Sequence, residues 1–254
     1  MFTDSWNRES DPASSCEESG ARDGNRKSPR TFIVKQCAVW YNEYVVKEPR
    51  TQIVEVSPQS ASYDKLIAHA GELLREGHLV AFPTETVYGL AANAERPDAI
   101  ERLREAKGRQ EDKPFAFIVC EREEVERYVK DVPSTAHALM GAFWPGPLTL
   151  VLRAGDGKTI GFRMPDDRIA LDLIRAAKVR LVAPSANISG SAEPRTAEEV
   201  ERQLGGKVEL TLDGGPTRIG IPSTVVLVEG SSYKILRAGA ISEDRIREVV
   251  QEQR

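Results

Sequence analysis

Two apolar runs, each halted by a proline and followed by a polar, hydroxyl-rich stretch, constrain this chain more than any other feature. The first, Leu79-Val80-Ala81-Phe82, meets Pro83 and opens PTETVYGLAANA at 83–94. The second, Arg180-Leu181-Val182-Ala183, meets Pro184 and opens PSANISG at 184–190, about a hundred residues later. Proline holds the residue before it extended and donates no ladder hydrogen bond, so each run reads as a short strand that ends there. Thr84, Glu85 and Thr86 then fall at one strand end, Ser185 and Asn187 at another. Gly89 allows a tight turn or the close approach of a ligand to the backbone. Open α/β sheets place ligands at loops beyond the carboxyl ends of strands. Either segment by itself equally suits an ordinary polar turn.

From Ile53 onward strand and helix patterns alternate. Tyr63, Leu66, Ile67, Ala70, Leu73 and Leu74 recur at helical spacing, with Ser62 as N-cap and Gly77 as stop. Pro97 suits the first turn of a second helix, which Gly108 ends in a left-handed conformation, so Lys107 and Arg109 flank a helix terminus. A strand follows at 115–119, then helical patterns near 123–130 and 134–143 and a break at Trp144-Pro145-Gly146-Pro147. LTLVLR at 148–153 and TIGFR at 159–163 read as strands, and a helix runs from about 167 to 177. Thr196 with Glu199 makes a capping-box signature for a helix ending near Leu204. STVVLV at 223–228 and YKILR at 233–237 read as neighbouring strands, and Ser242 caps a last helix. The order predicts an α/β fold with an open, twisted, mixed parallel and antiparallel sheet flanked by helices.

At 254 residues, 40% of them hydrophobic, the chain has enough apolar surface for a large core. No stretch approaches the roughly 18 apolar residues of a membrane span, and the start has no signal-peptide core, so the cytoplasm is expected. Residues 1–30 are rich in Ser, Asp, Glu, Arg and Gly and read as disordered, while 31–47 are apolar enough to dock loosely or add a strand. We therefore expect an extension over 1–50 and a catalytic domain over 51–254. Cys16, Cys37 and Cys120 are widely spaced and odd in number, which suits free thiols rather than a disulfide framework or zinc site. A net charge of −4 disfavours a broad nucleic-acid surface but not a small basic cavity.

Lys107, Arg109, Lys113, Arg163, Arg195 and Arg237 lie in or beside turn-like segments, where an anionic ligand gathers cations. A basic loop residue is ordinarily just solvated, so the anion reading rests on their convergence. Lys107, Arg109 and Lys113 offer ammonium and guanidinium donors at short range, suited to phosphate oxygens. Ser185 and Asn187, two apart, direct a hydroxyl and an amide toward one ligand. The P-loop and GxGxxG signatures are missing, so a nucleotide site here is of another kind. His69, His78 and His137 lie in helical patterns away from Ser185, which argues against a serine nucleophile.

Taken together, PTETVYGLAANA, KGRQEDKP, FWPGPLTLVL, TIGFRMP, APSANISG, PSTVV and ILRAG resemble, in order and spacing, the YrdC-like threonylcarbamoyl-adenylate synthase family over about residues 53–250. With its terminus at Arg254 the chain is similar to the short, single-domain members. Gln110, Ile118, Glu193 and Pro222 depart from the usual family pattern. The resemblance implies a YrdC-like fold with a concave basic cavity. It implies an enzyme that joins L-threonine, bicarbonate and ATP into threonylcarbamoyl-AMP, releasing diphosphate, with Mg²⁺ accompanying ATP. The product would feed threonylcarbamoyl-adenosine modification of tRNA through a downstream tRNA threonylcarbamoyl transferase.

By the same resemblance Thr86, Arg163 and Ser223 contact threonine, with Arg163 on its carboxylate. Arg109, Lys113, Thr159, Ser185 and Arg237 contact ATP, and Lys107 and Asn187 complete the KxR and SxN pairs with Arg109 and Ser185 as the catalytic group; no protein metal ligand is expected. Two other readings stay open. One is a non-catalytic module binding double-stranded RNA or tRNA through phosphates and 2′-hydroxyls. The other is a carbamoyl-transfer module of a hydrogenase-maturation protein.

Overall fold

The computed structural model describes residues 51–109 and 114–252, all within one unit, Lys47–Arg254. The expectations for the 1–50 extension, for Cys16 and Cys37, and for Lys113 lie outside the described residues. The strands are β1 (Gln52–Glu55), β2 (Val80–Phe82), β3 (Gly89–Asn93), β4 (Phe117–Ile118), β5 (Leu148–Arg153), β6 (Thr159–Arg163), β7 (Leu181–Val182), β8 (Leu210–Asp213), β9 (Thr224–Glu229) and β10 (Ser232–Arg237). The helices are α1 (Tyr63–Glu76), α2 (Pro97–Lys107), α3 (Ser134–Phe143), α4 (Arg168–Ala177), α5 (Ala197–Leu204) and α6 (Glu243–Gln251). The segment expected to be helical near 123–130 is a 3₁₀ turn, Arg122–Arg127.

The strands form one sheet in the order β1-β8-β2-β3-β7-β4-β6-β5-β9-β10. Parallel pairs (β1 with β8, β2 with β8, β4 with β6, β5 with β9) occur beside antiparallel ones, so the sheet is mixed as expected. Two strands carry no clear sequence signal. β3 is GLAAN, small residues buried on both faces without the branched or aromatic side chains that mark strands, and β8 is the short LTLD. Gly89 accordingly lies inside β3 and not in a turn. A side chain there would come within 2.9 Å of the Phe82 ring, so close packing of neighbouring strands requires the glycine.

Alternation along β2 and β3 splits the core around one half of the sheet. Val80, Phe82 and Ala91 join Ile67, Leu74 and Leu173 of α1 and α4, while Leu79, Ala81 and Leu90 join Leu103 and Val200 of α2 and α5. A fully buried Leu of this kind contributes about 1.5–3 kcal/mol. Helices α1 and α4 approach so closely that a side chain at Gly71 would sit 2.7 Å from the Ala176 carbonyl. Arg75 Nη1 donates to the Ala176 and Ala177 carbonyls at 2.8 and 3.2 Å, satisfying the end of α4. Asp167, Thr196 and Ser242 cap α4, α5 and α6 by accepting main-chain N–H bonds. Ser62 precedes α1 without a capping bond, because its hydroxyl pairs with that of Ser60 at 2.9 Å.

In the other half, Leu148, Leu150, Leu152, Phe162, Val226 and Val228 turn one face of β5, β6 and β9 toward α3 and α6. The alternate residues, Val151, Gly161, Val225 and Leu227, are only half-buried on the opposite face. On β6 that open face carries Thr159, Gly161 and Arg163, two residues apart in turn.

Candidate functional site

Arg163 ends β6 and projects onto the open face, where the chain after β2 folds back to meet it. Its Nη2 donates to Thr86 Oγ1 at 2.6 Å. The Thr84 hydroxyl donates to the Val87 carbonyl at 2.7 Å, so it accepts from Thr86 Oγ1 at 2.9 Å, and a relay runs from guanidinium to Thr86 to Thr84. Thr84, Glu85 and Thr86 are buried, and Arg163 Nε has no partner. Two bonds from the 214–223 loop pin this segment: Ile219 N donates to Glu85 O at 2.8 Å and Gly220 N to Thr86 O at 2.9 Å. The parts played by Ile219 and Gly220 were not legible in the sequence.

Cross-strand register extends the row. Arg163 pairs with Thr149, Thr149 with Val225, and Val225 with Arg237. Thr149 Oγ1 lies 2.8 Å from Ser223 Oγ, while Arg237 Nη2 donates to Ser223 O at 2.9 Å and to its Oγ at 3.2 Å. Gly239 lets this corner close: a side chain there would meet the Pro222 carbonyl oxygen at 2.4 Å. Loss of hydration lowers the Arg237 pKa from its ordinary value; Glu193 counteracts this and Arg163 adds to it. Arg237 therefore feels both Arg163 and Glu193.

The loop after β7 is built around Lys107. The buried ammonium donates to the carbonyls of Ser185 and Asn187 at 2.6 and 2.8 Å, and lies 3.3 Å from Asn187 Oδ1. Burial and neighbouring Arg109 push its pKa down to about 8, while Glu193 supports the charge. The Arg109 guanidinium is held 4.9 Å above the Phe115 ring centroid. Ser185 Oγ donates to Asn187 Oδ1 at 2.6 Å, and Asn187 Nδ2 donates to Ser191 O at 2.7 Å. This corrects the expectation that hydroxyl and amide point together at a ligand. Asn187 is spent inside the loop, which leaves the Ser185 hydroxyl oxygen able to accept but without a proton to offer.

Arg163 and Ser185 line the same hollow, together with Phe82, Thr84, Pro165 and Pro184. Phe117 pairs with both Val182 and Phe162, so Ser185, three residues past Val182, lies level with Thr159. Thr159 is exposed and stands four residues from Arg163 on the same face, roughly 13 Å at strand spacing. The structure thus brings Thr86, Arg163, Ser223 and Arg237 together in one network of contacts and cross-strand pairs. Lys107, at the end of α2, gathers Ser185 and Asn187 of the loop after β7, with Arg109 two residues beyond Lys107 and Thr159 at the start of β6; of these, Ser185 lines the hollow with Arg163 and Thr84. A larger hollow lined by Leu79, Arg102, Glu105, Ala106, Lys207 and Glu209 gathers none of these residues. Among the described residues no group of three or more His, Cys, Asp or Glu is placed to hold a metal ion, and no helix is long and apolar enough to cross a membrane. Cys120 is a free thiol.

Sequence reasoning placed Thr84 and Glu85 at a strand end without giving either a role, and it did not single out Thr149. Thr84 and Glu85 stand within the first motif and Thr149 within LTLVLR at 148–153, but only the tertiary structure reveals their partners.

Comparison with known proteins gives a consistent set of relatives. Residues 72–239 match the Sua5/YciO/YrdC family model, which is described as telomere recombination. The chain is 42% identical over 207 residues to a threonylcarbamoyl-AMP synthase of Bacillus subtilis, covering 78% of this chain and 60% of that protein. It resembles the crystal structure of P. abyssi Sua5 complexed with L-threonine, with a TM-score of 0.74 at 40% identity, covering 80% of this chain and 62% of that one. It also resembles E. coli YciO, with a TM-score of 0.66 at 26% identity, covering 76% of this chain and 97% of that one. The chain thus spans about three-fifths of the length of the Bacillus subtilis relative.

Proposed function

This chain belongs to the Sua5/YciO/YrdC family, and from that membership we propose that it is an L-threonylcarbamoyladenylate synthase. One observation carries the reading: a guanidinium fixed by a buried threonine hydroxyl lines one hollow with a serine of a lysine-anchored loop. Such a hollow suits a small carboxylate beside a polyphosphate. The Bacillus subtilis relative bears this enzyme's name, and the P. abyssi structure holds L-threonine.

In the proposed reaction, Arg163 holds the threonine carboxylate with a planar fork that a lysine does not reproduce. The threonine amine bonds to the carbon of bicarbonate or CO₂ and gives a carbamate, with loss of water when bicarbonate is the source. A carbamate oxygen then bonds to the α-phosphorus of ATP as the bond to the leaving diphosphate breaks. Mg²⁺ enters with ATP as part of that substrate. Arg109 and Arg237 supply positive charge for the phosphates, and Lys113 is proposed for the same role from its motif alone. Ser223 completes the threonine end, while Ser185 and Thr159 contact the nucleotide toward the other. Lys107 and Asn187 hold the Ser185 loop rather than touch substrate. No covalent protein nucleophile is required, because positioning and charge supply the acceleration. Burial of Thr84 and Thr86 keeps water from one wall of the carbamate site. The product would pass to a tRNA threonylcarbamoyl transferase in the cytoplasm.

The test is direct. Purified protein with ATP, Mg²⁺, bicarbonate and labelled threonine should yield threonylcarbamoyl-AMP and diphosphate by mass spectrometry. Diphosphate release independent of threonine, or carbamoyl-phosphate-dependent ATP turnover, would overturn the assignment. RNA binding that survives loss of Arg109 and Arg237, without product formation, would do the same.

A further inference from the structure

Glu85 is a buried acid that the proposed reaction leaves without a task. It is 1% exposed, and neither carboxylate oxygen receives a hydrogen bond. A buried carboxylate in that state is among the costliest groups a fold retains, so its surroundings should reveal a compensating charge. Its main chain is pinned by Ile219 N, which prevents the residue from swinging out as a unit.

Three charged neighbours face it. Arg218 feels Glu85, but its guanidinium is paired with Asp166 at 2.8 Å on the exposed side. Asp167 is an anion that Glu85 repels, and its Oδ1 caps α4 by accepting from Ala170 N at 3.1 Å. Arg163 remains: its Nη2 lies 3.0 Å from Glu85 Oε1, too poorly aligned for a hydrogen bond but close enough for strong attraction. The same Nη2 donates to Thr86, and Nε stays unpartnered. Attraction that consumes no donor has a particular use. It holds the guanidinium by charge without occupying a further N–H group.

We infer that Glu85 is a positioning residue, which presets Arg163 by charge so that the guanidinium is in place for the substrate carboxylate. This rests on the functional reading above and adds a determinant of affinity for the amino acid. It is distinct from a plain structural ion pair, because its loss should fall on one substrate only.

The experiment is L-threonine binding by isothermal titration calorimetry, with the KM for ATP measured in parallel, on the full chain and four variants: Glu85→Gln, Glu85→Asp, Arg163→Ala and the Arg163→Ala/Glu85→Gln double variant. Glu85→Gln should weaken threonine binding by about 10–100-fold, the scale of one charge-assisted contact, with the ATP KM changed less than about twofold. Glu85→Asp, which retains the charge on a shorter arm, should recover part of the loss. In an Arg163→Ala background Glu85→Gln should cause no further weakening. If Glu85→Gln does not fold by circular dichroism, the Asp variant decides, with a selective loss of about fivefold in threonine affinity expected. Unaltered protein that binds no threonine overturns the functional reading and this inference together. Threonine binding by the unaltered protein, with the Gln variant within about twofold of it, overturns this inference alone. Equal losses for threonine and ATP do so as well, by showing a general structural role.

Discussion

The Lys107 ammonium donates to the Ser185 carbonyl at 2.6 Å across a separation of 78 residues, so the end of α2 and the loop after β7 behave as one element. Charge that sequence motifs place beside a phosphate is here turned inward, where it shapes the loop that faces the hollow.

Replacing Lys107 by methionine retains the stem and removes the donors. The carbonyls of Ser185 and Asn187 are then left without a partner, which should cost about 1–3 kcal/mol in chemical denaturation. Turnover should fall by about 10²–10³ through misplacement of the loop, with the fold retained. Diphosphate release and urea melts check the two parts separately. Near-normal turnover in a folded variant would remove Lys107 from the machinery.

Arg163→Ala should lower threonine-dependent diphosphate release by about 10²–10³ without unfolding the protein, the scale for losing a preorganised charge contact. Arg163→Lys should restore little of it. An ammonium offers no planar fork for a carboxylate and does not reach Thr86 in the same geometry.

Titration of Lys107 gives two opposite pH effects. Its pKa of about 8 lies below the ordinary 10.5, so between those values the unfolded chain holds more protons than the folded one. The contribution of this group to stability is therefore lowest below pH 8 and rises toward 10.5. Activity should move the other way, falling as pH rises through about 8 and the loop loses its ammonium. Glu193→Gln removes a supporting charge and should shift the falling limb of kcat/KM to lower pH. Comparison of the two proteins cancels titration of the substrates. Superimposable profiles would refute the assignment.

Two glycines should respond oppositely to alanine. Gly239→Ala forces a methyl against the Pro222 carbonyl oxygen and the Ser223–Thr224 peptide, backbone atoms that cannot turn aside. A loss of about 1–3 kcal/mol is expected, accompanied by a raised ATP KM as Arg237 and Ser223 are pushed apart. Gly141 lies in α3 with nothing within 4 Å of the added methyl. Alanine there should stabilise by about 0.5–1 kcal/mol. Denaturant midpoints of both variants test the pair.

Strands β5 and β6 were read from the sequence with the bounds that the structure shows, because their alternating residues meet a buried face and an open one. Helices α5 and α6 were equally legible through their caps Thr196 and Ser242, and α4 as a helix from about 167 to 177. β3 and β8 were not, since small residues buried on both faces, or a four-residue run, carry no periodic signal. The candidate site divides in the same manner. Residue types suited to phosphate and carboxylate could be recognised from their motifs, whereas the partner each one takes could not.

What the linear chain determined by itself was chemistry and local conformation: where strands stop, where helices are capped, and which side chains carry charge or hydroxyls. Tertiary structure alone decided that Thr149 reaches Ser223 and that Glu85 lies 3.0 Å from Arg163. The physical reason is range. Caps and turns are satisfied within a few residues, but these contacts join segments from different strands. Their existence depends on sheet register and on burial that no local stretch of sequence encodes.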